Sequence, residues 1–386
     1  MKTWQTKLTP FSNNPYVKTF FTPSSIFFDI ETTGFSASHN QIYMIGYAYQ
    51  REDNIFIHQL FAETPSEEPE ILAAFLDILS CYDTLISFHG AGFDVPFLKD
   101  RCAHYKMPEH FDSFRHLDIY KKLSKYKTIL NLPNLKQKTL EKFLGIARED
   151  LYSGGDLISI YSEYAKVSSK NNSIPFALNG SHYKKGAASF LSSEEACALL
   201  KLHNYEDIEG MIKLLPLLSY PRFFEGYFQV SSWETHTWKT YEGTDGLELI
   251  LSLELELPLP MPFTHPAGKL YVSGSSNQVK LRIELFAGEL KYFYPNYKDY
   301  YYLPAEDVAV HKSVAAYVDK NYRTQATAAT CYSKKSGCFL PQYQELFSPA
   351  LKQNYQDKIS YFEQTEAFTS SKEHLKKYAL HLLEQF

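Results

Sequence analysis

Asp29 and Glu31 stand one residue apart in SSIFFDIETTG, at the end of a short apolar run that reads as a β-strand. Side chains at i and i+2 of a strand leave the same face, so the two carboxylates point together with Phe27 beside them. Ile26, Phe28 and Ile30 then face the core. Neighbouring carboxylates repel, and their burial is costly unless a cation sits between them. Mg²⁺ or Mn²⁺, hard ions that take oxygen ligands, would meet that demand. A D-x-E tripeptide at a solvated strand end needs no metal, so the pair alone is only a candidate.

Two further pieces carry chemistry. Asp94 lies in HGAGFDVPFL, directly after the apolar run TLISF. An Asp before Val-Pro is also a conventional helix N-cap, and a loop between strand and helix at the open end of a sheet is where ligands bind in such folds. His203 and Asp207 are spaced i, i+4 on a predicted helix and so share one face, with Gly210 on nearly the same stripe. Such a pair can be a local ion pair as readily as a catalytic one. Asp118, in RHLDIY, reads as a strand-end or helix-capping residue.

The elements that must position these groups follow from periodicity. Residues 24–30, 41–50 and 55–61 read as three strands with short polar connections, the second of them the turn Glu52-Asp53-Asn54, which suggests an antiparallel meander. Ile71, Leu72, Phe75 and Leu79 have helical spacing, TLISF is a short buried strand, the stretch from Asp94 to about His104 looks helical, and residues 115–119 could add one more strand. Helices are expected at about 119–127, 135–144 and 155–166. A longer helix starts near Ser192, whose S-x-x-E spacing to Glu195 is that of a capping box, and runs to about Leu218 with Pro216 near its end.

In this order FFDIETTG, FHGAGFD and HNYED resemble the three exonuclease motifs of the DEDD superfamily, in its DEDDh branch with a histidine four residues before the last aspartate. The intervening HLDIYKKL, LKQKTLEKFLGIARED and GGDLISIY resemble the bacterial YprB-like ribonuclease H-like domain. The resemblance covers roughly residues 24–218. It implies an α/β fold with a mixed five-stranded sheet flanked by helices. It also implies that Asp29, Glu31, Asp94 and Asp207 hold two divalent ions, Mg²⁺ or Mn²⁺, about 3.5–4 Å apart. His203 would take the proton of the attacking water, and the products would be nucleoside 5′-monophosphates from single-stranded or 3′ ends of DNA or RNA. One position departs from the pattern: many relatives carry Asn five residues before the second-motif aspartate, and here it is His89. His89 and Phe93 are the candidates for substrate contact in this motif. Two alternatives belong to other classes: a catalytically silent nucleic-acid-binding protein, and a structure-selective endonuclease on the same fold.

After Pro221-Arg222 the texture changes to alternating segments at hairpin spacing, so a boundary is expected near residue 221, with an exonuclease domain over 1–220 and a β-rich (α+β) accessory domain over 221–386. The tail from about Leu351 looks helical. KYFYPNYKDYYYLP (291–304) holds six tyrosines and Phe293, interrupted by Lys291 and Lys298, and Tyr300 and Tyr301 could stack unpaired bases, although β-propensity alone favours tyrosine on a twisted sheet. His311, Cys331 and Cys338 match no zinc pattern.

Composition bounds the rest. A chain of 386 residues is long enough for two domains, and 44% hydrophobic with 22% charged residues is a globular balance. No apolar run reaches the length of a membrane span, and the first residues contain no apolar signal-peptide core. Five scattered cysteines without CxxC spacing suggest reduced thiols in a cytoplasm. The net charge of −5 does not favour a polyanionic partner, yet residues 99–142 hold eleven Lys and Arg against five acidic residues, enough for a local basic stripe.

Overall fold

The computed structural model describes residues 1–8, 14–52, 54–168, 176–177, 190–239 and 245–386. The chain divides into two compact units, Met1–Pro221 and Arg222–Phe386.

In the first unit, β1 (Lys2–Lys7), α1 (Pro15–Phe20), β2 (Ser25–Thr32), β3 (Ile42–Arg51) and β4 (Asn54–Phe61) precede α2 (Glu68–Leu79), β5 (Thr84–Ser87) and α3 (Asp94–His104). Then come β6 (Arg115–Asp118), α4 (Ile119–Leu123), α5 (Gln137–Phe143), α6 (Gly154–Ser168), the two-residue strands β7 (Phe176–Ala177) and β8 (Phe190–Leu191), and α7 (Ser193–Leu214). Six strands form one sheet in the order β1-β4-β3-β2-β5-β6. β2, β3 and β4 are the antiparallel meander expected from the sequence, while β5 pairs parallel with β2, and β6 parallel with β5. At the β3–β4 turn Glu52 takes a positive φ of 51°; Asp53 lies outside the described residues.

Five strands are those read from the sequence, and β1 is a sixth. KTWQTK is exposed or half-buried along its length and so has no apolar alternation to announce it. It is held by antiparallel pairing with β4 and by Trp4, whose ring packs 5.6 Å from that of Phe61.

Each face of the sheet is covered. Ile26, Phe28 and Ile30 of β2 join Ile71, Leu72 and Phe75 of α2 and Phe97 and Leu98 of α3 in one core. On the other side Tyr43, Met44 and Phe61 pack against Leu157, Ile160, Tyr161 and Tyr164 of α6 and Ala196 and Leu200 of α7. β2 is central, so its alternation separates the two layers and leaves Asp29 and Glu31 on the α7 side. α7 opens with the capping box, Ser192 accepting from the Glu195 N–H while the Glu195 carboxylate accepts from the Ser192 N–H. It ends at Leu214, ahead of Pro216, which sits in a 3-10 turn over Leu215–Leu218.

α8 (Ser219–Phe224) spans the division between the units. The second unit contains β9 (Phe228–Lys239), β10 (Asp245–Ala267), β11 (Leu270–Glu284), β12 (Phe286–Phe293), β13 (Tyr300–Leu303) and β14 (Val308–His311). It continues through α9 (Lys312–Ala315), β15 (Thr324–Gln325), β16 (Tyr332–Gln342), β17 (Ser360–Glu363), α10 (Glu366–Thr369) and α11 (Lys372–Leu383). Its sheets have the orders β11-β10-β9, β12-β16-β17 and β14-β13-β15. The expectation of a helical tail from Leu351 needs correction: only α10 and α11 are helical. Ser360–Glu363 is a strand because β16 offers it a partner, and Tyr361 and Phe362 are buried there.

Candidate active site

Asp29 and Glu31 lie at the C-terminal end of β2, largely buried between buried neighbours, the Glu31 side chain 12% exposed. Asp94 is not the N-cap of α3 that its sequence context suggests. It is the first helical residue, Phe93 holds the cap position, and the Asp94 Oδ1 accepts the backbone N–H of Ile30 at 3.1 Å. That bond fixes a third carboxylate against the strand, at the residue that separates Asp29 from Glu31. The loop before it is held by Asp118, which accepts from the His89 and Ala91 N–H groups and caps α4 through the Lys121 N–H. Asp118 is thus structural.

α7 brings the remaining pieces. His203 Nε2 lies 3.2 Å from Asp207 Oδ2 and 3.8 Å from Glu31 Oε1. Glu31, His203 and Asp207 each present a ligand atom within 4.8 Å of the others, the one such group among the described residues. Asp29 and Asp94 are not in that triangle, so the tightest cluster contains His203 rather than all four acids. Both remain within electrostatic reach of it. Glu31 Oε1 is buried without a hydrogen-bond partner.

Five residues of the resembling segments that the sequence did not single out join the site: Asn204, Asp150, Arg148, Gln137 and Glu141. Asn204 donates to Asp29 Oδ2 at 3.3 Å and is itself held by Gln59. Its approach to the sheet needs Gly46, since a Cβ there would stand 2.2 Å from Asn204 Oδ1. Asp150 Oδ2 meets His203 Nδ1 at 2.7 Å. Arg148 bridges Glu141 and, at 2.6 Å, Asp207 Oδ1. Gln137 donates to Glu141 and to the Asp207 carbonyl, and Glu141 occupies the space where a Cβ on Gly210 would be, 2.1 Å from its Oε1. Gly210, three residues after Asp207 on the stripe singled out in the sequence, is thus where the Glu141 carboxylate comes close to α7.

Charge differs across the site. Burial pushes the Asp29 carboxyl well above its usual range, and Asp94, Glu31 and Asp207 add to that by repulsion. Burial also raises Glu31 to about 7, against the pull of His203, and Asp94 to about 7, against the Ile30 N–H. Asp207 shifts the other way: burial opposes ionisation, but His203 and Arg148 outweigh it. For His203, burial disfavours charge, yet bonds to Asp150 and Asp207 raise it to about 11.

The candidate contact residues are less uniform. His89 adopts a left-handed φ of 66°, a conformation in which Asn and His are among the side chains found most often, so its exchange for Asn keeps the backbone. Its ring meets Tyr120 edge-on at 4.6 Å. Phe93 packs on Phe97 and lies 6.4 Å from Phe35, which is 86% exposed. In the second unit Tyr300 is stacked on Tyr294 at 4.6 Å and Arg323 covers Tyr301. The basic stripe is partly spent on structure: Arg101 is buried against Glu68, Lys99 pairs with Asp112, Arg115 with Asp83 and Lys138 with Asp150. Cys331 is buried and Cys338 exposed, both as free thiols.

A mixed sheet covered by helices on both faces, with acids clustered at the end of its central strand, defines a class of protein that comparison makes explicit. Residues 26–218 match the family model described as RNase_H superfamily, and this chain belongs to that superfamily. The fold is accordingly ribonuclease H-like, with an additional β-rich unit. No curated protein matches the chain in sequence. Among solved structures, the zinc-bound Escherichia coli ExoI–ssDNA complex is similar at 12% identity and a TM-score of 0.27, covering 61% of this chain and 55% of that one. A second structure of exonuclease I gives 11% and 0.28, with 60% and 54% covered. The family B DNA polymerase of the hyperthermophilic archaeon Pyrobaculum calidifontis gives 14% and 0.37, covering 52% of this chain and 26% of the polymerase. The chain thus spans about a quarter of the polymerase and about half of exonuclease I. No helix among the described residues is long and apolar enough to cross a membrane.

Proposed function

We propose that this chain is a divalent-metal-dependent 3′→5′ exonuclease of DEDDh type, close to the YprB-like subfamily, that hydrolyses phosphodiester bonds at single-stranded or 3′ ends of DNA or RNA. The observation that carries it is Glu31 Oε1, a carboxylate oxygen buried without a hydrogen-bond partner amid Asp29, Asp94 and Asp207. Buried like charges of this kind raise one another's pKa unless a cation is shared among them. The donors are all carboxylate oxygens plus one imidazole, a set that suits Mg²⁺ or Mn²⁺. Asp29, Glu31, Asp94 and Asp207 are the residues to hold two such ions. When bound, they supply the charge that lowers the pKa of a water and stabilises the leaving 3′-oxygen.

The chain's own residues do the remaining work. His203 presents Nε2 on the carboxylate side; Asp150 and Asp207 keep it protonated while no cation offsets them, and it would become a proton acceptor there once bound ions do. Asn204 orients Asp29, and the Ile30 N–H orients Asp94. His89 and Phe93, on the loop leading to Asp94, are the candidates for substrate contact.

The test is incubation with 3′-labelled and 5′-labelled DNA and RNA oligonucleotides, with Mg²⁺, Mn²⁺ or EDTA. A ladder shortening from the 3′ end, lost in EDTA and in Asp29→Ala and Asp207→Ala proteins, is expected. Binding without cleavage would favour a silent nucleic-acid-binding protein, and cleavage of circular substrate an endonuclease.

A further inference from the structure

We propose that Asp150 is a positioning residue for His203: it grips Nδ1 and so commits Nε2 to the carboxylate cluster. The inference rests on the nuclease reading above and adds to it a residue outside the three motifs.

The geometry is specific. Asp150 Oδ2 stands 2.7 Å from His203 Nδ1, and its side chain is 1% exposed. An imidazole has two nitrogens on opposite edges of a rigid ring; once Nδ1 donates to a carboxylate, only Nε2 remains to face a reacting group. Nε2 here points at Glu31 and Asp207. Asp150 is in turn fixed from three directions. Oδ2 also accepts Lys138 Nζ at 2.9 Å, Oδ1 accepts the Tyr152 N–H at 2.9 Å, and the Asp150 N–H donates to Glu206 Oε2, one residue before Asp207 on α7. The same segment grips Asp207 through Arg148. The loop after α5 therefore registers both chemical groups of α7 against one short stretch of chain.

A role limited to folding would be met by the bonds to Lys138 and Tyr152, which already close the turn before α6. Those bonds do not require a histidine nitrogen. What the His203 contact adds is the direction of the ring.

The test combines rates with a magnetic-resonance signature. Asp150→Asn preserves shape and removes the charge; kcat should fall about 10²- to 10⁴-fold, as when the acid of a His–Asp pair is replaced by its amide, with KM changed less than about threefold. In a His203→Ala background the same substitution should cause no further loss, because it acts through the missing ring. In EDTA-treated full-length protein a downfield, exchange-protected Nδ1–H proton should be present, absent in His203→Ala and displaced in Asp150→Asn. Absence of that proton from the unsubstituted protein would overturn the proposal, as would wild-type kcat in Asp150→Asn or losses that multiply in the double variant. If Asp150→Asn does not fold, Asp150→Glu replaces it in both measurements, with kcat lowered and the proton shifted. If the chain cuts no nucleic acid the functional reading fails, and the proton in metal-free protein then decides by itself whether Asp150 holds the ring.

Discussion

The two halves of the candidate site solve opposite electrostatic problems. On β2 and the start of α3, Asp29, Glu31 and Asp94 are crowded, buried and pushed upward in pKa, with little inside the protein to neutralise them. On α7, Asp207 is already paired with His203 and Arg148, and His203 with Asp150. The first half stores repulsion that an added cation would relieve. The second half is charge-balanced by the chain itself, which fixes its geometry before anything binds. The lesson is that a site can be prepared for a cation on one side and rigidified on the other.

That contrast can be broken most sharply at Asp29. Asp29→Asn should lower the cleavage rate by about 10³-fold or more, the scale of losing one preorganised charge partner of the reaction. It should also raise the melting temperature of EDTA-treated protein, because a buried repulsion is removed. Equal or lower metal-free stability, read by thermal melting, would mean that the β2 half is not strained.

Arg148→Met tests the other half. It leaves Glu141 and Asp207 without their buried partner, and unfolding in urea should show a loss of about 3–5 kcal/mol. A loss below about 1 kcal/mol would show that the pairing contributes little.

Gly210→Ala forces a Cβ into the Glu141 carboxylate and should destabilise by about 1–3 kcal/mol. An unaffected urea midpoint would show that Glu141 moves aside freely.

The pH dependence sharpens the contrast without substitutions. Glu31 and Asp94 have folded values near 7, above their unfolded ones, so their contribution favours folding below about pH 4 and is lost as pH rises to about 7. Asp207 is shifted below its unfolded value, so its contribution is constant over that window. His203 is raised to about 11, and its stabilisation begins to fade only above its unfolded value of about 6.5. Metal-free protein should therefore melt at a lower temperature at pH 7 than at pH 5, and Mg²⁺ should remove most of that difference. A melting temperature that rises over this interval in EDTA would contradict the assignment. The smallest effect is expected at Lys138→Met, within about 1 kcal/mol in urea, because the lysine side chain is 45% exposed.

Much of this was legible locally. Alternation in FFDIE put both acids on one face, and Ile26, Phe28 and Ile30 do lie in the opposite core. The capping box fixed the start of α7, and hence the shared face of His203 and Asp207. β1 was not legible, because an edge strand with polar faces has no period to read; pairing with β4 makes it. Asp94 looked like a cap because its neighbours matched that pattern, while its real partner, the Ile30 N–H, is 64 residues away.

By itself the sequence determined which residues carry charge, which face each occupies on its own strand or helix, and the order in which the motifs follow. These depend on contacts within about one turn or one pleat, set by backbone geometry. Tertiary structure alone decided that Asp150 reaches across 53 residues to His203, that Arg148 rather than a lysine of the basic stripe meets Asp207, and that Glu31 keeps an oxygen unpaired. Those outcomes depend on burial and on distances between elements, and a charge's worth changes several-fold with the water removed around it.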